Sequence, residues 1–122
     1  MAKILVVDDE VNIRRMIRKF AEFEGHEVFE AVDGMDAVEK CESMSYDCII
    51  MDIMMPVMGG LEAAHAIRTM ERADSNKVPI VAISANAFDE DIHRSLASGM
   101  NAHLSKPVEI DKLRETLGRL LK

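Results

Sequence analysis

Two aliphatic runs in this sequence end in carboxylates. KILVV (3–7) runs into Asp8 and Asp9, and CIIM (48–51) runs into Asp52. Two more runs end in other polar groups: PIVAIS (79–84) ends at Ser84, and NAHLS (101–105) is followed by Lys106 and Pro107. Carboxylates gathered in one place repel, and some stay protonated unless a cation joins them. A hard divalent ion such as Mg²⁺ takes oxygen ligands and commonly uses one or two carboxylates plus a phosphate oxygen. Lysine adds a positive point charge and serine a hydroxyl donor. A cation, an ammonium and a hydroxyl converging on one carboxylate make a phosphoryl-transfer site. Asp52 is the candidate nucleophile.

Such a site forms only if the runs are neighbouring strands. The five strand candidates are KILVV (3–7), HEVFEAV (26–32), CIIM (48–51), PIVAIS (79–84) and NAHLS (101–105). Between them apolar residues step at three to four. Ile13, Ile17, Phe20 and Phe23 mark a first helix, and Val38 and Cys41 a short second one. Leu61, Ala64, Ile67 and Met70 mark a third, and Ile92 and Leu96 a fourth with Asp89 as N-cap. Ile110, Leu113, Leu117 and Leu120 mark the last. Five βα units predict an α/β fold: a parallel sheet with helices on both faces, a three-layer sandwich. In such sheets, sites form at the carboxyl ends of the strands. The mixed HEVFEAV suits an edge strand, and the polar ADSNK (73–77) a surface connection.

The chain has 122 residues, 48% hydrophobic and 4% aromatic. That is enough for one domain, 1–122, with an aliphatic, Met-rich core. A net charge of -7 argues against direct nucleic-acid or anionic-membrane binding. No apolar run approaches a membrane span and no signal-peptide pattern opens the chain, so a cytoplasmic location is expected. Cys41 and Cys48 lack metal spacing and are expected to be reduced core thiols.

The motifs VVDDE (6–10), MDIMMPVMGG (51–60), SAN (84–86) and KP (106–107) fall in the order and spacing of a known family. The chain resembles a two-component response-regulator receiver domain, the CheY-like flavodoxin fold, along its whole length. Residues 84–113 look most like receivers of hybrid histidine kinases. The resemblance implies strand order 2-1-3-4-5. It implies that Asp52 accepts a phosphoryl group from a histidine kinase or histidine phosphotransfer protein. Asp9, Asp52 and the Met54 backbone carbonyl would ligate Mg²⁺ directly, and Asp8 through water. Ser84, Lys106 and the backbone N–H groups of Met54 and Ala85 would hold the phosphoryl oxygens. Asn86 and Met54 would govern dephosphorylation, and an apolar Met54 cannot orient a water, so a long-lived phospho-form is expected. The Lys106–Pro107 bond would be cis, and Pro56 and Gly60 would shape the loop after Asp52. The output face would be the fourth helix, fifth strand and fifth helix. The molecule would act as a monomer or a phosphorylation-linked homodimer.

This sequence departs from the family pattern in places. Tyr or Phe usually stands three residues before the lysine, as a switch; here it is His103. That residue is either exposed on the strand-five surface or a rotameric switch. Ser84 replaces a frequent Thr, and Gly59 a frequent Asp or Asn. His26, His65 and His93 are expected to be solvated. Met51, Met54, Met55 and Met58 are expected to fill the core and form a flexible contact surface. The basic stretch IRRMIRK (13–19) is a charged solvent face or a partner surface. An alternative function is a Mg²⁺-dependent aspartyl-phosphate hydrolase of the haloacid dehalogenase type. That class wants a second acid two residues after the nucleophile, where Met54 stands. A flavodoxin-like FMN carrier would need a phosphate loop where the acidic DDEVN (8–12) lies.

Overall fold

A computed structural model of the chain describes residues 2–53, 55, 58–70, 77–84 and 99–121. Five strands form one parallel sheet in the order β2-β1-β3-β4-β5. They are β1 (Lys3–Val7), β2 (Glu27–Ala31), β3 (Cys48–Asp52), β4 (Ile80–Ser84) and β5 (Ala102–Ser105). The helices among the described residues are α1 (Val11–Phe23), α2 (Gly34–Ser43), α3 (Gly60–Arg68) and α4 (Ile110–Leu120). Several expectations lie outside the described residues. They concern Met54, Pro56, Ala85, Asn86, the helix from Asp89, His93 and most of the 73–77 connection.

The central strands β3 and β4 are buried at every position. That explains their near-continuous apolar runs, because both faces are covered. Alternate residues feed two cores. Leu5, Ile49, Met51 and Ala82 pack with α2 and α3 residues such as Ala37, Ala64 and Ile67. Ile4, Val6, Ile50 and Ile83 pack with Ile17 and Phe20 of α1 and Leu113 and Leu117 of α4. Strand β2 is an edge strand, as its mixed composition suggests, and β5 is the other edge.

Among the described residues the helical stripes hold with one correction. Phe23 is 85% exposed. It is the last residue of α1, where the chain turns through Gly25 at φ 89° toward β2. Helix α2 is capped by Asp33, whose carboxylate accepts the Asp36 N–H at 2.8 Å. Gly60 opens α3 against the end of β3. A Cβ there would drive into the backbone of Asp52 and Ile53, so only glycine permits this approach.

Candidate functional site

The order 2-1-3 makes β1 the strand where the winding reverses, and the crevice opens between the ends of β1 and β3. Asp52, the last residue of β3, is 2% exposed and Asp8, just past β1, is 0% exposed. Each is fixed by backbone. The Asp8 N–H donates to the Ala31 carbonyl at 3.2 Å, and the Ile53 N–H to the Ile83 carbonyl at 3.0 Å. Burying a charge is costly unless it is paired, and the partner comes from the far side of the sheet. The Lys106 N–H donates to the Ser84 carbonyl at 2.8 Å, which sets the start of its side chain beyond β5. Its Nζ then donates to Asp52 Oδ2 at 3.1 Å and to Glu10 Oε1 at 3.3 Å. It also lies 3.3 Å from Asp8 Oδ2.

The charges shift one another. Burial pushes the Asp8 carboxyl above its ordinary pKa. The Glu10 N–H, donating to Asp8 Oδ1 at 2.8 Å, pulls it back, and the Asp52 charge raises it again. Burial works against the Lys106 ammonium, but the hydrogen bond and charge of Asp52, with those of Asp8, prevail and raise its pKa. Lys106 is therefore a fixed cation at neutral pH.

Asp8, Asp9 and Glu10 can bring one carboxylate oxygen each within 4.8 Å of one another. Asp8 Oδ2 is a buried oxygen that faces the Lys106 ammonium at 3.3 Å but accepts no well-aligned hydrogen bond among the described residues. An all-oxygen, anionic donor set with such an oxygen fits a hard divalent cation. Glu10 belongs to this cluster and was missed as a site residue. The DDE run carried the signal, but an exposed third acid is common without a role.

Arg14 was also hidden inside a basic stretch. Its Nη1 donates to the Asp8 carbonyl at 2.7 Å, and its Nε to Glu30 Oε1 at 2.9 Å. It ties the acidic loop to β2. Arg18 pairs with Glu22 and Glu30, so IRRMIRK is not simply a solvated face. Arg15 and Lys19 are exposed. His26 is not merely solvated, because its Nδ1 accepts the Ala2 N–H at 3.1 Å. The expectation of solvation failed because the turn folds it back under β1; His65 is exposed as expected.

Ser84 is 1% exposed, and its Oγ lies 2.9 Å from Nε2 of His103, which is half-buried rather than exposed. Met51 is in the core, and Met55 and Met58 pack against it. Cys41 and Cys48 are buried thiols, and burial pushes Cys48 up to about 12. The Lys106–Pro107 peptide is cis.

An open parallel sheet with carboxylates and a lysine at its switch point defines a flavodoxin-like domain with a polar site at the strand ends. A sequence model described as the response regulator receiver domain matches residues 4–118. The chain belongs to that family, a signalling domain of two-component and phosphorelay systems. It is 35% identical to hybrid signal transduction histidine kinase I of Dictyostelium discoideum, over 94% of this chain and 7% of that protein. It is 38% identical to the CAI-1 autoinducer sensor kinase/phosphatase CqsS of Vibrio cholerae, over 91% of this chain and 16% of that protein. The chain thus spans a small part of these curated relatives. Among solved structures it resembles chemotaxis protein CheY4 of Vibrio cholerae, with a TM-score of 0.92, 36% identity and 99% of each chain covered. It also resembles the receiver domain of sensor histidine kinase PA1611 from Pseudomonas aeruginosa, solved with a magnesium ion in its active-site cleft. There the TM-score is 0.89 with 35% identity, over 98% of this chain and 97% of that one. The haloacid dehalogenase alternative finds no support in these relationships.

Proposed function

We propose that this chain is the Mg²⁺-dependent phosphoacceptor of a phosphorelay. A histidine kinase or histidine phosphotransfer protein is the donor and Asp52 the acceptor. The observation that carries this reading is the Lys106 ammonium, 3.1 Å from Asp52 Oδ2 and 3.3 Å from Asp8 Oδ2 at the rim of the sheet. In the transfer, an Asp52 oxygen attacks phosphorus and the P–N bond to the donor imidazole breaks. The imidazole leaves with the bond pair and is protonated. Lys106 balances the charge gathering on the phosphoryl oxygens, and the Ser84 hydroxyl donates to one of them. Asp8, Asp9, Asp52 and the Met54 carbonyl would hold Mg²⁺, with Glu10 beside them. When bound, the ion supplies charge neutralisation across carboxylate and phosphoryl oxygens.

The aspartyl phosphate carries about -1.5 to -2 charge where the free carboxylate carried one, at a site built around one lysine. That charge draws Ser84 and Lys106, and the shift biases the face formed by β5, α4 and the helix expected from Asp89. The test is intact mass after incubation with acetyl phosphate. A Mg²⁺-dependent adduct of ~80 Da is expected in the wild type and not in Asp52→Ala. An adduct that persists in Asp52→Ala overturns the assignment of the acceptor.

A further inference from the structure

The Ser84–His103 contact goes beyond this reading and rests on it. A serine hydroxyl has one hydrogen to donate. The Ser84 Oγ lies 2.9 Å from His103 Nε2, so hydroxyl and imidazole share a hydrogen bond. The register explains the meeting. Ala82 is opposite His103 and Ser84 opposite Ser105, so Ser84 and His103 are diagonal neighbours on one face of β4 and β5. That face also carries Ala82, which packs toward α3. Ser84 is 1% exposed, so water does not readily substitute for the imidazole.

We propose that His103 is a positioning residue that latches the Ser84 hydroxyl in the resting state. The imidazole and a phosphoryl oxygen on Asp52 compete for the same hydroxyl. With Nε2 as acceptor, the hydroxyl hydrogen points at the ring and must leave it to reach the phosphoryl group. With Nε2 as donor, the oxygen is held on the β5 side and must still move. Either way the bond favours the unphosphorylated arrangement, and its opening releases His103 from β4. An aromatic ring without a ring nitrogen at this position could not form the latch. The chain at residue 103 therefore sets the resting threshold by hydrogen bonding rather than by ring bulk.

The test uses beryllofluoride with Mg²⁺ as a non-covalent phosphoryl mimic, with binding followed by ¹⁹F NMR on the whole chain. His103→Phe should bind it roughly 2- to 12-fold more tightly than wild type, the equivalent of one ordinary hydrogen bond. His103→Gln, which keeps a polar group near the Nε2 position, should move affinity back toward wild type. In a Ser84→Ala background, His103→Phe should change nothing, because no hydroxyl remains to latch. Independently, the His103 Nε2 ¹⁵N shift should change when beryllofluoride binds wild type. Equal tightening with and without the Ser84 hydroxyl overturns the latch, as does an unmoved Nε2 shift or unchanged affinity in His103→Phe. Beryllofluoride that fails to bind wild type, or binds Asp52→Ala as well, overturns the phosphoacceptor reading and the latch with it.

Discussion

Lys106→Met removes the cation from the site while keeping a long apolar stem. It leaves Asp8 and Asp52 buried without their shared counter-charge. At 3.1–3.3 Å and an effective dielectric of ~20, each contact is worth several kcal/mol of Coulomb energy before desolvation is counted. Removing one partner of a buried pair costs ~3–5 kcal/mol. The Lys106 side chain keeps 16% exposure, so water reaches the gap and the lower end applies, about 3 kcal/mol. A domain of ordinary stability remains folded after that loss. The assay is urea denaturation followed by far-UV circular dichroism, in EDTA and in excess MgCl₂. The ammonium and the metal ion compete for the same oxygens. Mg²⁺ should therefore stabilise Lys106→Met more than it stabilises wild type, by the linkage of binding to folding. A loss below about 1 kcal/mol in EDTA would refute the pairing of Lys106 with buried charge. A loss that Mg²⁺ does not reduce would refute the competition.

Other expectations follow from single contacts. Hydrogen bonds from Arg18 and Arg14 hold the Glu30 carboxyl below its ordinary value. Its stabilising contribution is present above the unfolded pKa of about 4.5 and fades as pH falls through the folded value. Glu30→Gln should thus cost ~0.5–1 kcal/mol at pH 7 and almost nothing near pH 2, read from denaturation midpoints. Gly60→Ala should destabilise by ~1–3 kcal/mol, because its Cβ meets the Asp52 backbone; an unchanged melting temperature would contradict the close approach. Ellman's reagent at pH 7.5 should label neither Cys41 nor Cys48 in the native chain and both in urea. Burial shields both sulfurs, and a pKa of about 12 leaves Cys48 almost no thiolate to react.

The fold was legible because hydrophobic runs in parallel sheets are long and contrast sharply with amphipathic helices. β1, β3 and β4 match their predicted runs to within a residue, and the mixed β2 fell at the edge where it was expected. The acidic residues and Lys106 were legible because each ends or follows an apolar run, where a charge needs a reason. The strand order came from the resemblance, since spacing alone does not fix which strands adjoin. The contacts of Glu10, Arg14 and His26, and the Ser84 partner of His103, were not legible. Glu10 and Arg14 lie in charged stretches that suit a solvated helix start, and their partners Lys106 and Glu30 are distant in sequence. His103 meets Ser84 only because the β4–β5 register brings the two diagonal to each other. Phe23 was misjudged because periodicity does not register where a helix outruns its core.

The central claim is that Asp52 is the covalent acceptor. After phosphorylation with acetyl phosphate and Mg²⁺, borohydride reduces an acyl phosphate to an alcohol. Peptide sequencing by tandem mass spectrometry then finds the modified position. Homoserine at position 52 alone, and none in EDTA-treated protein, is the predicted result. Homoserine at position 8 or 9, or the adduct on a histidine or serine, would contradict it.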